Sequence, residues 1–325
     1  MDNTTEITWN SKEFLDFYSV IIHALKNGNT EARSEIKKLR SIEYRNTVEI
    51  VTQGYYTTEE GRRVYFPDMK EMQAGTTFYK YAFNVNDIPA RKTQTVIEVR
   101  NTDCLKEGIR LIRKGLNPAV LNMASRQMPG GGVITGSGAQ EEGLFRRTNL
   151  FRSLYQFTNL FINEYWFANF IPLAPASERY PMDRNFGGIY TPGALLFREN
   201  EKCGYKLMDK PEKLSFISVA GINRPELKDS THLADNMVEG TKNKIRTILR
   251  IGLRHGHDSL VLGALGCGAF RNPPAHIARL FHEVFEEPEF KNKYLHITFA
   301  ILEDYNSHKK HNPEGNFKPF WQEFC

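Results

Sequence analysis

An α/β fold, with helices on both faces of one sheet, follows from three observations. From residue 93 onward, strand-like and helix-like segments alternate along the chain. Two glycine-rich turns, at 130–132 and 263–270, each come after a strand-like segment and precede a helical one. Hydrophobic residues make up 40% of the 325 positions and charged residues 25%, the balance of a globular chain with a sizeable core.

Residues 1–92 differ in pattern from the remainder of the chain and read as an accessory region packed on a main domain, 93–325. Residues 12–27 and 32–53 have helical spacing: Leu15, Tyr18, Ile22 and Leu25 share one face of the first, and Ile36, Leu39, Tyr44 and Val48 line the second. Gly54 stops the second helix, and "TQGYYTTEEGRRVYF" leads into a short strand or hairpin near 62–66. "TQTVIEVR" (93–100) predicts a strand, 103–114 a helix and "PAVLNMAS" (118–125) a buried strand. The first glycine loop comes next, then a helix over 140–157 with Leu144, Thr148, Phe151 and Tyr155 on one face. "GALLF" (193–197) and "LSFISVAG" (214–221) are strand-like; 234–254 repeats Val238, Thr241, Ile245, Ile248 and Leu249 at helical spacing. A strand at 259–265, a helix at 274–286 and a strand at 295–302 complete the alternation, with loops at 172–192 and 221–230.

Composition excludes several classes. A net charge of +5 suits an anionic ligand without requiring one, and "KKLR" (37–40) and "HKKH" (308–311) read first as solvated faces. Cys104, Cys203, Cys267 and Cys325 form no C-x-x-C pair, so reduced thiols and an intracellular, cytoplasmic or nuclear, protein are expected. "MDNTTEITWN" lacks the pattern of a signal peptide, and "VLGALGCGAF" falls short of the roughly 20 apolar residues that span a bilayer. "RHGHDS" and "HKKH" lack metal-ligand spacing, so surface or loop roles are expected and no metal is implied.

Two stretches carry chemistry. In an open α/β sheet, ligands settle beyond the carboxyl ends of the strands, where exposed N–H groups cradle phosphate. "GALGCGAF" (263–270) meets that description, and Pro273 and Pro274 fit the start of the helix after it. Neither glycine loop is a dinucleotide fingerprint or a Walker loop, and tight strand–helix packing would also explain "GALGCG". The other stretch, "QMPGGGVITGSGAQEEGL" (127–144), places Gly130, Gly131 and Gly132 ahead of Gln140, Glu141 and Glu142. Adjacent acids in a first helical turn point about 100° apart, so they cannot share one task. They either compensate the helix dipole, which needs no ligand, or meet a sugar–phosphate delivered by the loop.

GGG, seven residues, then QEE, with "VLNMAS" ahead and "LFRRTNL" behind, resembles the microbial type of poly(ADP-ribose) glycohydrolase within the macrodomain group. The likeness continues through "GALGCGAFRNPP", covers roughly 93–302, and extends more loosely over 32–66. It implies a macrodomain-like three-layer α/β/α sandwich with a mixed central sheet. It also implies that Glu142 is the catalytic acid/base, that Glu141 holds the distal ribose and that Asn122 stands beside that sugar. Gly131, Gly132, Gly266, Cys267 and Gly268 match backbone donors around the diphosphate, with Gly130, Gln140 and Ala269 in the same two loops. Phe270 matches an aromatic shaping the distal-ribose end. Asp103 is an adenine candidate by position only, and equally an N-cap. The implied activity is release of ADP-ribose, at the chain end, from poly(ADP-ribose) on ADP-ribosylated proteins, by a monomer without cofactor, membrane attachment or sequence-specific nucleic-acid binding. Two rivals stand beside it: a mono-ADP-ribosyl hydrolase, and a domain that only binds ADP-ribose.

Overall fold

The computed structural model describes residues 7–158, 173–303 and 307–325. The elements in chain order are α1 (Ser11–Lys26), α2 (Ala32–Gln53), β1 (Tyr55–Thr57), β2 (Arg63–Tyr65), α3 (Lys70–Ala74), β3 (Thr77–Tyr79) and β4 (Val96–Arg100). Next come α4 (Cys104–Arg113), β5 (Pro118–Met123), α5 (Gln140–Arg147), α6 (Phe151–Leu154), β6 (Gly188–Arg198) and β7 (Leu207–Val219). The last are α7 (Asp235–Arg254), β8 (Ser259–Leu262), α8 (Pro274–Phe285), β9 (His296–Ala300) and α9 (Phe317–Phe324).

The chain forms two compact units. One comprises the described parts of Met1–Gly75, Met128–Pro175 and Ala194–Lys213; the other comprises those of Thr76–Gln127, Ala176–Gly193 and Leu214–Cys325. This division differs from a boundary at 92. The first glycine loop and the paired acids belong with the N-terminal helices, and residues 76–92 belong with the sheet.

In the sheet-bearing unit the strand order is β3-β6-β7-β5-β8-β9-β4. β5 lies parallel to β7 and β8, and β9 parallel to β8 and β4, while β3 runs antiparallel to β6. The sheet is therefore mixed, and the carboxyl ends of β5, β7, β8, β9 and β4 share one edge. Strand alternation sorts the side chains between layers. Ala119, Leu121, Ile217, Leu260, Leu262 and Phe299 join α7 and α8, through Ile245, Leu249, Ile277 and Phe281, in one buried cluster. On the opposite face α4 approaches so closely that a Cβ on Gly108 would lie 3.0 Å from Val120 and 2.9 Å from Leu214. Layers of helix, sheet and helix result.

"RHGHDS" forms the turn between α7 and β8, a loop as expected, but its two histidines are turned inward rather than to the surface. His257 is buried, donates from Nδ1 to Asn117 O at 3.0 Å and so receives the Tyr190 hydroxyl at Nε2, 2.9 Å away. His255 stacks on Tyr190 with ring centroids 3.6 Å apart, and its Nε2 lies 2.8 Å from the Tyr79 hydroxyl. Burial holds its pKa down at about 4. Below pH 6.5 the unfolded chain binds a proton at His255 that the folded chain refuses until about pH 4, so acidification across that window favours unfolding. A thermal-unfolding series from pH 7 to 4 should show Tm falling, with a shallower fall for His255→Phe, which keeps the ring stack and loses the proton site.

In the other unit α2 is the organising element. Gly54 (φ 85°) ends it, and β1 and β2 form the expected hairpin. Its buried Glu43 lies 3.4 Å from Arg198 Nε and 3.9 Å from Arg146 Nε, so each of these buried charges faces one of opposite sign. The helix expected over 140–157 is broken. Thr148 (φ −134°, ψ 168°) leaves the helical region, forms an antiparallel bridge with Leu196 of β6, and caps both ways: its Oγ1 donates to Leu144 O at 2.8 Å and accepts from Leu150 N at 3.2 Å. Asn149 exchanges bonds with Leu195, N–H to O at 3.2 Å and Oδ1 from N–H at 2.7 Å. Strand pairing there outcompetes helix continuation, although Leu144, Phe151 and Tyr155 are buried as the spacing predicts. The loop expected over 172–192 yields to β6 from Gly188; its first residue, 172, lies outside the described residues. Among the described residues no helix is long and apolar enough to cross a membrane.

Candidate active site

The glycine-rich turn and the adjacent acids form one hydrogen-bonded assembly. Gly130 and Gly131 adopt left-handed φ values of 77° and 51°. Glu141 Oε1 accepts from Gly130 N–H at 3.1 Å, and Glu142 Oε1 accepts from Gly132 N–H at 2.9 Å. The side chains diverge as the helical geometry requires, and both are buried, at 3% and 7% exposure. Two solvated acids serving only the helix dipole would not be placed so. Glu142 Oε2 is buried and has no hydrogen-bond partner among the described residues. A Cβ on Gly131 would come within 2.8 Å of Glu142 Oε1, so a side chain there displaces the acid. Gln140, the first residue of α5, is half-buried.

The second glycine pair, "GSG", has a separate purpose that spacing did not reveal. Gly136 (φ 76°) lies directly against the backbone carbonyl of Lys37, and Gly138 against the Arg40 guanidinium. Ser41 Oγ donates to Ile134 O at 2.7 Å, and Arg146 Nη2 to Ser137 O at 2.8 Å. Arg40 is itself held by Glu201 at 2.6 and 2.8 Å. The glycine loop thus rests on α2, and "KKLR" is partly a packing surface rather than a wholly solvated face.

In the sheet-bearing unit Asn122, at the carboxyl end of β5, is fully buried and donates from Nδ2 to Ser218 Oγ of β7 at 3.0 Å. The turn 263–270 leaves β8 on that same edge, and Gly221 after β7 would bring a Cβ within 3.1 Å of Gly266 Cα. Cys267 N–H is directed inward to Ala264 O at 3.0 Å, and burial pushes the Cys267 thiol well up. The N–H groups of Gly266, Gly268, Ala269 and Phe270 meet no acceptor among the described residues. Phe270 is half-buried and Ala269 exposed. Two expected backbone donors are therefore turned to protein acceptors here, Cys267 to Ala264 and Gly132 to Glu142. Asp103 is the N-cap of α4, accepting from Leu105 N and Lys106 N at 3.1 Å each.

Asn272 is the residue that sequence reasoning passed over. It is 1% exposed, and its Nδ2 donates to Ile222 O at 2.8 Å and Gly266 O at 3.0 Å, tying the turns after β7 and β8 together. Its one legible signal was an amide between a glycine turn and two prolines. Asn272→Ala should cost about 1–3 kcal/mol by denaturant unfolding, because the Ile222 carbonyl loses its donor and Gly266 O keeps only the backbone N–H of residue 272.

Residues 44–199 match the family model of the microbial-type PARG catalytic domain. The stretch that holds the glycine triplet and the paired acids is thus similar to a microbial-type PARG catalytic domain. The poly(ADP-ribose) glycohydrolase of Thermomonospora curvata, solved with the inhibitor ADP-HPD, is 28% identical with a TM-score of 0.67, over 88% of this chain and 99% of that one. The enzyme of Deinococcus radiodurans, solved in complex with ADP-ribose, is 26% identical with a TM-score of 0.58, over 80% of this chain and 98% of that one. No curated protein sequence matches the chain. The PARG family match contains Gly130–Gly132 and both acids, but ends before the 263–270 turn and before Asn272.

Proposed function

We propose that this chain hydrolyses the ribose–ribose O-glycosidic bonds of poly(ADP-ribose), releasing ADP-ribose from the chain end, with Glu142 as general acid and then general base. The observation that carries the catalytic assignment is the asymmetry of the Glu142 carboxyl. Oε1 is occupied by Gly132 N–H, whereas Oε2 is buried with no partner among the described residues. A protonated Glu142 therefore keeps its hydrogen on Oε2. The chemistry needs that proton: breaking the bond between C1″ of the distal ribose and the 2′-oxygen leaves an oxocarbenium-like sugar and an alkoxide-like leaving group. Transfer from Oε2 to the 2′-oxygen neutralises the leaving group as the bond breaks. A water then adds to C1″ and returns a proton to Oε2, restoring the acid.

Glu141 holds the distal ribose in this proposal and Asn122 stands beside it, while the free N–H groups of Gly266, Gly268, Ala269 and Phe270 receive the diphosphate. Phe270 shapes the ribose end. Asp103 is left out, since its carboxylate serves the α4 cap.

Labelled poly(ADP-ribose) and a mono-ADP-ribosylated protein, incubated side by side with the full chain and resolved by mass, test the reading. Free ADP-ribose from the polymer supports it. Release from the mono-modified protein alone assigns a different linkage, and binding without release assigns a reader.

A further inference from the structure

The turn 263–270 is fastened by a residue from the far carboxyl end of the chain. His311, in the "HKKH" stretch, places Nε2 3.0 Å from Cys267 O. A carbonyl oxygen only accepts, so Nε2 carries the hydrogen and His311 donates. The segment around it is itself anchored. Lys309 N–H donates to Asn312 Oδ1 at 2.9 Å, and buried Asn312 donates from Nδ2 to Asn316 Oδ1 at 2.8 Å. Glu303 Oε1 accepts from Asn316 N at 2.9 Å and Phe317 N at 2.6 Å, at the start of α9. From α9, Phe320 packs in the sheet-unit core with its ring centroid 4.9 Å from that of Phe299.

The consequence lies in one peptide plane. A trans peptide points its C=O and the following N–H in opposite directions. With Cys267 O drawn toward His311, Gly268 N–H is aimed away from His311, and it meets no acceptor among the described residues. Rotating that peptide would present a carbonyl where the donor stood, and a carbonyl repels phosphate oxygen. Glycine at 268 makes such a rotation sterically easy, so something else must oppose it. We propose that His311 is a positioning residue for diphosphate binding, holding the Cys267–Gly268 peptide with its N–H toward the ligand. This rests on the reading that the 266–270 turn receives the diphosphate.

The test uses the full chain, as parent, His311→Ala and His311→Gln, with calorimetric Kd for ADP-ribose and kcat and KM on poly(ADP-ribose). His311→Ala should raise Kd and KM about tenfold, the worth of one orienting hydrogen bond, with kcat within about twofold. Gln places an amide donor at similar reach and should restore both to within about threefold. A residue with a merely structural role would lower Tm and kcat together, with no rescue by Gln, and that result overturns the proposal. So does parental Kd and KM in His311→Ala. A parent that binds no ADP-ribose would instead overturn the diphosphate reading beneath it.

Discussion

Gly136→Ala should destabilise the fold and slow catalysis together. The left-handed backbone at φ 76° disfavours alanine, and the new methyl would overlap the Lys37 carbonyl, which belongs to α2 and has no side-chain rotamer to yield. The two costs sum to about 2–5 kcal/mol. Relief requires the 133–138 turn to lift from α2, and that turn comes directly after Gly132, whose N–H positions Glu142 at 2.9 Å. Chemical denaturation should show the loss of stability, and the fraction that folds should have reduced kcat. Gly54→Ala is the discriminating companion. Its φ is 85°, equally left-handed, but nothing lies within 4 Å of a Cβ there. It should lose only the backbone term of about 1–2 kcal/mol. Equal losses at the two positions would mean that α2 does not press on the loop.

Glu142→Gln should lower kcat on poly(ADP-ribose) by about 10²–10⁴-fold, the usual worth of a positioned general acid–base. The amide is nearly isosteric, and its oxygen still accepts from Gly132 N–H, so the loop keeps its shape. ADP-ribose binding should therefore stay within a few-fold of the parent. What disappears is the transferable hydrogen on the second atom of the group: an NH₂ neither protonates a leaving 2′-oxygen nor accepts a proton from water. Glu141→Gln should behave differently. Its partner is Gly130 rather than Gly132, and its proposed partner in substrate is the distal ribose, so binding should weaken as well.

Where local rules dominated, the fold was legible in the sequence. α2 spans the residues its periodicity predicts, Gly54 ends it, Pro273 and Pro274 open α8, and β5, β8 and β9 match their apolar runs. Misses occurred where partners distant in sequence decide the outcome. Thr148 and Asn149 read as helical until Leu195 and Leu196 offer them strand bonds. His257 reads as a surface or loop residue; it does lie in a loop, but Tyr190 and Asn117 satisfy both ring nitrogens and bury it. At the site, the family resemblance carried by GGG and QEE singled out the acids as candidates, and helical geometry required them to diverge. Periodicity carried no sign of the Lys37 carbonyl beneath Gly136, the reach of Asn272 to Ile222 or the reach of His311 to Cys267, because each pairs residues separated by tens of positions. "GSG" was legible as flexibility; its true constraint is steric closeness.

The central claim is that Glu142 delivers a proton to the departing oxygen, and a leaving-group comparison tests it most directly. Single-turnover rates are measured for parent and Glu142→Gln on poly(ADP-ribose) and on ADP-ribose bearing 4-nitrophenol at C1″, a group that departs as an anion without assistance. The claim predicts a loss of about 10²–10⁴-fold on the polymer and a far smaller one on the aryl glycoside. Undiminished cleavage of the polymer by the variant, or the same loss on both substrates, would contradict it.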